Sequence, residues 1–262
     1  MNGGRSKRLR EKSVFKIVGI VLLMVLVGLM FTIVDRLPVI GNPDSAPNRH
    51  VSDYYIEEGP ELTHSPNLVT GVLADFRGFD TLLETTVMFL AGVSVAMILS
   101  NRLKRHWDAG IFRKDENFGG FEVKVIMPIL IPVIIVYAFY VLMHGEVSLG
   151  GGFQAGALLA MAFMLYIMFA DLGKNKFRIT QHFSVCVAAC GVFIYFLTGF
   201  LCMINGGRFL EYEALPFSAE HGAELHATGI LMIETGVTIG VMATIITILE
   251  AVVERNSLNG RS

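Results

Sequence analysis

One segment outweighs the rest of the chain in predicting its architecture: Asn67-Leu-Val-Thr-Gly-Val-Leu-Ala-Asp75-Phe-Arg77-Gly-Phe-Asp80-Thr-Leu-Leu-Glu84-Thr-Thr-Val. It places three acids and an arginine at the head of a long apolar run. A charged side chain at the centre of a bilayer costs about 2.5–3.5 kcal/mol even on the insertion scale. In a helix, Arg77, Asp80 and Glu84 would share one face, because side chains three and four residues apart are neighbours. The segment therefore predicts a membrane helix whose charged end is paired, part of an ion path, or both.

The composition is that of a polytopic membrane protein. Apolar residues make up 53% of the chain and charged residues 17%, with a mean hydropathy of +0.58. A helix needs roughly 20 apolar residues to cross a bilayer. Six segments approach or exceed this length: Val14–Val34, Thr81–Leu99, Val123–Met143, Phe153–Ala170, Phe183–Ile204 and Ala227–Leu249. We therefore expect an all-α protein with six transmembrane helices and no soluble catalytic domain of ordinary size.

The basic residues predict the orientation of these spans. Fifteen of them flank the ends that would face one side of the membrane, and three lie in the loops of the other side. The fifteen are Arg5, Lys7, Arg8, Arg10, Lys12, Arg102, Lys104, Arg105, Arg113, Lys114, Lys174, Lys176, Arg178, Arg255 and Arg261, against Arg36, Arg49 and Arg208. Basic loops stay in the cytoplasm, so both termini are expected there, in a multi-pass protein of the cell (inner or plasma) membrane with lipid around it. The first span lacks a small-residue cleavage site and is expected to be a retained anchor.

Several classes of function are disfavoured. The net charge is −2 and topology accounts for the basic residues, so no nucleic-acid partner is expected. Cys186, Cys190 and Cys202 all fall in the fifth span without a C-x-x-C pair or a companion histidine, which is typical of free apolar cysteines. We expect no metal site, no cofactor and no catalytic site within this chain.

The acids of the quoted segment have two interpretations. Asp80 and Glu84 can belong to an ion path, with Asp75 beside them. Alternatively, acids at a helix start can act as caps that interact with the helix dipole. Capping explains Asp80 well but explains Glu84, a full turn further into the span, less well. Arg77 is expected to be a counter-ion, because a guanidinium does not deprotonate at ordinary pH.

A glycine-rich turn separates the third and fourth spans: His144-Gly-Glu146-Val-Ser-Leu-Gly-Gly-Gly152-Phe-Gln-Ala-Gly156. It lacks the preceding strand and the Lys-Ser/Thr pair of a phosphate-binding loop. Gly152 and Gly156 lie one helical turn apart, which predicts close packing against a neighbouring helix. His144 and Glu146 either pass protons between membrane and water or are simply hydrated loop residues.

The last span begins with a further group of titratable residues. Glu224 and His226 stand at its predicted external mouth, and Glu234 lies two turns deeper with no basic neighbour in its own helix. Such a glutamate either belongs to a proton relay or is a neutral carboxyl that hydrogen-bonds a neighbouring helix. Gly236 and Gly240 again predict close helix packing.

These residues carry a family resemblance. The segment from His50-Val-Ser-Asp-Tyr-Tyr-Ile through the asparagine-to-glutamate motif resembles the C-terminal module of the A subunit of Mrp-type multisubunit Na⁺/H⁺ antiporters. The same module stands alone as the E subunit of membrane-bound hydrogenases. From about Phe121, with Gly150-Gly-Gly-Phe-Gln-Ala-Gly and Ile233-Glu-Thr-Gly-Val, the chain resembles MrpB, the MnhB family. It departs from that pattern at Leu149, where a proline commonly precedes the glycines.

The resemblance implies a domain order and a function. Residues 1–100 would form a two-helix module, 101–122 a cytoplasmic linker, 123–250 a four-helix MrpB-like domain and 251–262 a cytoplasmic tail. The function implied is that of a membrane-arm subunit, without its own redox centre, of an Na⁺/H⁺ antiporter or of a redox-driven ion pump of the hydrogenase type. Its partners would be the other membrane subunits, with Na⁺ and H⁺ as transported ions. The alternatives are a scaffold that only assembles the antiporter subunits and a quinone- or haem-binding subunit.

Overall fold

The structure is a computed structural model, and it describes residues 3–34, 36–99, 121–169, 180–217 and 222–259. Within these ranges every regular element is a helix, so the expected all-α class is confirmed there. The chain falls into two compact units, Met1–Asp53 and Tyr54–Ser262. Of the predicted linker, residues 101–120 lie outside the described ranges.

The first unit contains a long apolar helix, α1 (Gly3–Val34), and a short one, α2 (Ala46–His50). Within its own unit α1 leaves all its described apolar side chains exposed. An ion pair between Arg49 and Asp44, with N···O of 2.9 Å, closes the turn before α2. The helices around the boundary between the two units are short: α2, α3 (Ser52–Glu57) and α4 (Gly59–Thr63) have five, six and five residues, and prolines lie in the first turns of α2 and α4.

The second unit is built around its last helix. Its further elements are α5 (Leu68–Thr70), a π-helical segment (Gly71–Phe76), α6 (Gly78–Leu99), α7 (Phe121–Met143), α8 (Gly152–Phe169), α9 (Gln181–Ile204), a 3₁₀ turn (Tyr212–Ala214) and α10 (Gly222–Asn259). Helix α10 packs against α9, α8 and α6, and α7 packs against α8. Consequently α6, which precedes the predicted linker, shares one core with the helices that follow it.

Within the described ranges, five helices are long and apolar enough to cross a membrane, which makes this a multi-pass membrane protein. They are Lys16–Val34, Gly78–Leu99, Val125–Met143, Gln181–Ile204 and Gly222–Val252. Each coincides with a predicted span. The remaining predicted span, Phe153–Ala170, corresponds to α8, whose apolar part, Gly152–Ile167, is shorter than the other five.

The helix that opens the quoted segment is broken. A π-helical turn runs from Gly71 to Phe76, and Arg77 then leaves helical geometry, with φ −121° and ψ 30°. Arg77 therefore does not share a continuous helix with Asp80 and Glu84, contrary to the expectation from their spacing. π-helical turns occur often at functional sites, and a broken helix at membrane depth is tolerated only where protein or water satisfies its backbone.

Hydroxyl groups satisfy the carbonyls at this break. Tyr195 of α9 donates to the carbonyl oxygen of Gly78, and Tyr212 donates to that of Ala74, both at 2.6 Å. Thr81 donates to the carbonyl oxygen of Leu73 at 2.7 Å. All three hydroxyl-bearing residues are buried. The break is thus a supported feature of the fold, since donors from three separate elements hold it.

Glycines allow α10 to approach its neighbours closely. A Cβ added to Gly152 would overlap the carbonyl oxygen of Glu234, and one added to Gly156 would lie 2.7 Å from that of Thr238. On α9, a Cβ added to Gly191 would lie 2.6 Å from the carbonyl oxygen of Gly236. Gly240 is roomier, since its added Cβ would meet nothing nearer than a Thr85 methyl group at 3.5 Å.

Candidate ion-path site

An acid–histidine pair connects the broken helix to α10. His226 lies near the start of α10 and is only 7% exposed. Its Nδ1 is 2.7 Å from Oδ2 of Asp75, which belongs to the π-helical segment. The sequence suggested one polar patch around Glu84 and another around Glu234, with Asp75 in the first and His226 in the second. The structure brings Asp75 and His226 into direct contact, so these two predicted patches are not separate.

His226 also lies close to an acid at the surface, Glu213. Oε1 of Glu213 lies 3.7 Å from the other ring nitrogen of His226, and the Glu213 side chain is 66% exposed. His64 and Tyr212 approach the ring edge-on, with centroid distances of 5.4 and 5.9 Å. Burial raises the pKa of the Tyr212 hydroxyl well above its ordinary value, so this group stays a hydrogen-bond donor. Glu213, His226 and Asp75 thus form a titratable chain from the surface to the helix break.

A second cluster surrounds Glu234. Glu234 and Glu146 line a cavity of about 160 Å³, together with the apolar or neutral residues Leu142, Met143, Ala227, Thr228, Ile230 and Leu231. The carboxylate of Glu234 lies against the glycine-rich turn: a Cβ on Gly145 would be 2.8 Å from its Oε2, and one on Gly151 would be 3.0 Å from its Oε1. A side chain at either position would displace the end of the Glu234 side chain, and Gly151 has a φ of +130°, which residues with a Cβ rarely adopt. Burial also raises the pKa of Glu146, the loop carboxyl of the pair.

The remaining acids of the quoted segment face outward. Arg77 pairs with Asp80, with Nε to Oδ2 at 2.6 Å, and their side chains are 57% and 46% exposed. This pairing raises the pKa of the Arg77 guanidinium. Glu84 is exposed, and within the described part of the chain its side chain forms no hydrogen bond. Glu84 is therefore not part of either cluster built by this chain.

Two other predicted residues lie on the surface. The His144 ring is exposed and stacks on Tyr140, with centroids 4.1 Å apart. Glu224 is exposed in the first turn of α10, and its carbonyl oxygen accepts a hydrogen bond from Thr228. Of the eight predicted ion-path residues, the two clusters use Asp75, His226 and Glu234.

Sequence reasoning missed Glu213 and Glu250. Glu213 lies in the segment between the fifth and sixth spans, where no apolar run drew attention to it. Glu250 is buried in α10, and its Oε2 accepts a hydrogen bond from Ser184 at 2.8 Å. Ending the sixth span at Leu249 made Glu250 look like a boundary residue. Within the described residues, no group of three or more His, Cys, Asp or Glu side chains is arranged to hold a metal ion.

Two family descriptions match consecutive parts of the chain. Residues 14–109 match the MbhE family, the E subunit of MBH, and residues 122–247 match the domain related to the MnhB subunit of Na⁺/H⁺ antiporters. After the families that they match, residues 14–109 are called here the MbhE module and residues 122–247 the MnhB-related domain. The MbhE module contains the broken helix, and the MnhB-related domain contains the glycine-rich turn and most of α10.

Two relatives from staphylococci match parts of the chain. The putative antiporter subunit mnhB2 of Staphylococcus saprophyticus is 26% identical over 131 residues, which cover 48% of this chain and 89% of that protein. The Na⁺/H⁺ antiporter subunit A1 of Staphylococcus aureus is 43% identical over 61 residues, or 22% of this chain. The aligned part of the chain spans only 8% of that much longer subunit.

Solved structures resemble the whole chain. One chain of the membrane-bound sulfane sulfur reductase (MBS), an archaeal respiratory membrane complex, superposes with a TM-score of 0.66 at 27% identity, covering 91% of this chain and 98% of that one. The Mrp complex from Dietzia sp. DQ12-45-1b gives a TM-score of 0.57 at 25% identity, covering 89% of this chain and 26% of its counterpart. The match to the MBS chain therefore extends over both regions of this chain and over nearly all of the MBS chain.

Proposed function

We propose that this protein is a membrane-arm subunit of a multisubunit cation/proton antiporter, or of a redox-driven ion pump with such an arm, and that its carboxylates take part in ion translocation. The observation that carries the proposal is the partly open cavity that Glu146 and Glu234 share in a membrane protein. Carboxylates are rare in spanning helices and usually mark ion pathways. Relatives of both regions are named as antiporter subunits, which supports the same assignment.

Na⁺ and H⁺ are the transported ions in this proposal. The Glu213–His226–Asp75 chain would exchange protons with one aqueous side, and the Glu146–Glu234 cavity would bind the ion within the membrane. Moving one charge across the membrane is worth about 2.3 kcal/mol per 100 mV, so neutralising a carboxylate on the way changes the energetics appreciably. Glu224 and His144 would contribute only at the aqueous surface.

The assembly would lie in the cell membrane, with six spans and both termini in the cytoplasm. Glu84 then requires a partner, because an exposed carboxylate one turn into a span is costly against lipid. We propose that the face of α6 carrying Asp80 and Glu84, with Arg77 just before the helix, contacts another membrane subunit and completes an ion path there. The near-complete overlap with the MBS chain favours the redox-driven form over a free-standing antiporter.

Na⁺/H⁺ exchange by the complete complex in everted membrane vesicles tests this proposal. Glu234→Gln keeps the size of the side chain but removes its charge, so exchange should fall by about an order of magnitude or more, as for loss of a positioned proton acceptor. Glu58→Gln, on the exposed turn before α4, is the matched control and should exchange like wild type.

The scaffold interpretation makes the opposite prediction. If this chain only assembles the true antiporter subunits, Glu234→Gln will exchange normally. Gly152→Leu will then abolish assembly and activity together, because its side chain would overlap the carbonyl of Glu234. Normal exchange by an assembled Glu234→Gln complex would therefore reject the proposed role of this carboxylate.

A further inference from the structure

Three polar residues of the MbhE module form hydrogen bonds with backbone carbonyls of the glycine-rich loop in the MnhB-related domain. The side-chain amide of Asn67 donates to the carbonyl oxygens of Gly145 and Ser148, at 2.9 and 2.7 Å. The Thr70 hydroxyl donates to the same Gly145 carbonyl at 2.6 Å. The carbonyl of Glu146 accepts from the Ser65 hydroxyl at 3.1 Å and from the Asn67 backbone N–H at 3.2 Å.

Asparagine at position 67 is suited to this contact. Its Oδ1 accepts a hydrogen bond from the backbone N–H of Val69, which caps α5, while its amide nitrogen faces the loop carbonyls. Aspartate could make the cap but would turn an acceptor towards those carbonyls. Thr70 and Ser65 are buried, so their hydroxyls hold the loop away from competing water. The side chains of Ser65, Asn67 and Thr70 thus all donate hydrogen bonds to the same glycine-rich loop.

The glycine-rich loop is also the wall of the carboxylate cavity. Gly145 and Gly151 border the two oxygens of Glu234, and Glu146 supplies the second carboxyl. Glu234 is the titratable group that faces Glu146 from α10, and the other residues lining the cavity are neutral. A shift of the loop would therefore move Glu146 and open or close space beside Glu234 at once.

We propose that Ser65, Asn67 and Thr70 are positioning residues, together called the loop clamp, through which the MbhE module sets the geometry of the Glu146–Glu234 cavity. The role of the clamp in transport rests on the proposed function, whereas its effect on the carboxyls does not. The clamp also provides direct contact between the two modules that are joined in this chain. The buried hydrogen bond of Thr70 and the partly buried ones of Ser65 and Asn67 connect the break-containing segment to the loop that borders the two carboxyls.

The test measures how readily Glu146 is protonated in the purified, assembled complex. N,N′-dicyclohexylcarbodiimide reacts with protonated carboxyls, and mass spectrometry quantifies the adduct on Glu146 over a range of pH. Thr70→Val removes one clamp donor at nearly constant shape, and Asn67→Ala removes two. Thr70→Ser keeps the hydroxyl. Thr86→Val is the matched control, because the Thr86 hydroxyl bonds the Leu82 carbonyl within α6.

Release of the loop should hydrate Glu146 and return its pKa towards the ordinary value. In Thr70→Val and Asn67→Ala, we expect half-maximal labelling at a lower pH than in wild type. Thr70→Ser and Thr86→Val should follow the wild-type curve. The proposal is overturned if the clamp variants also follow that curve, if Thr86→Val shifts equally, or if both clamp variants fail to assemble, because the clamp would then serve folding alone.

Transport measured on the same variants separates the two proposals. If the clamp variants shift the labelling curve while the wild-type complex shows no Na⁺/H⁺ exchange, the clamp stands and the proposed function fails. If exchange is normal in wild type but labelling is unaffected in the clamp variants, the clamp fails and the function stands.

Discussion

His226 is the residue that most changes the interpretation of this chain. It is buried between an acid of the π-helical segment and an acid of the 3₁₀ turn, and its Nε2 has no hydrogen bond within the described structure although Glu213 lies 3.7 Å away. Histidine is the side chain whose ordinary pKa lies closest to physiological pH. A buried histidine with one acid at bonding distance and another slightly beyond can alternate between them as its charge changes.

Replacement of this histidine gives a direct test. His226→Gln can still hydrogen-bond Asp75 but cannot carry a proton as a cation, so exchange should fall severalfold and lose its dependence on pH between about 5 and 8. His144→Gln is the control, because His144 is exposed and stacked on Tyr140. The measurement is Na⁺/H⁺ exchange in vesicles at a series of pH values. A wild-type pH profile in His226→Gln would show that His226 does not carry protons during exchange.

Among the elements, the helix break is the most demanding structure, because it frees carbonyls inside the fold. Tyr195 and Tyr212 reach these carbonyls from different elements, and both residues are buried. The ring of Tyr212 also packs so closely on Gly229 of α10 that an added Cβ there would overlap it. The break, the 3₁₀ turn and α10 therefore depend on one another.

Tyr212→Phe should weaken this arrangement. The ring can still pack, but the Ala74 carbonyl loses its donor, which costs about 1–3 kcal/mol for a buried group. The midpoint of thermal unfolding of the purified protein should fall accordingly. Tyr137→Phe, on an exposed face of α7, should unfold at the wild-type temperature. Equal stability of the two variants would show that another group satisfies Ala74.

The contact between α9 and α10 offers a second test at this level. Alanine at position 191 would place its Cβ 2.6 Å from the Gly236 carbonyl oxygen and equally close to the Gly240 Cα, so two backbones would have to separate. We expect Gly191→Ala to cost about 1–3 kcal/mol, in the range of overpacking. Gly240→Ala should be neutral or slightly stabilising, because its Cβ has room and alanine favours helix. Thermal unfolding of both variants checks the difference, and a Gly191→Ala variant as stable as wild type would contradict so close an approach of the two helices.

For the whole molecule, the number of spans determines where the two ends lie. In the part of the chain that the structure describes, five helices meet the length and hydropathy of a span, and α8 is apolar but shorter. The proposed six spans would put residues 1 and 262 in the cytoplasm. A green fluorescent protein fused at either end should then fluoresce, and alkaline phosphatase fused at the same positions should be inactive. An active phosphatase at one end only would imply an odd number of spans.

Much of this architecture was accessible from local chemistry. Apolar length predicts helices wherever water is absent, because each backbone group must then be satisfied within its own segment. The helix starts of α6, α8 and α10 fall within five residues of the predicted ones. The glycines on α8 and α10 could be singled out because helices without bulky residues can approach closely in lipid.

Three-dimensional contacts determined the rest, because no local pattern records them. Asp75 and His226 are 151 positions apart, and Asn67 and Gly145 are 78 apart. Hydropathy treats each charge in its own segment, so it divided the acids of the Asn67–Glu84 segment and of α10 into separate patches. No proline marks the π-helical turn or the break at Arg77 in the sequence. Hydroxyl groups from distant elements stabilise both. The side-chain identities were sufficient to predict the helices and to find the charged residues that are costly in a membrane. Which of these residues contact each other depends on how the broken helix packs against α10.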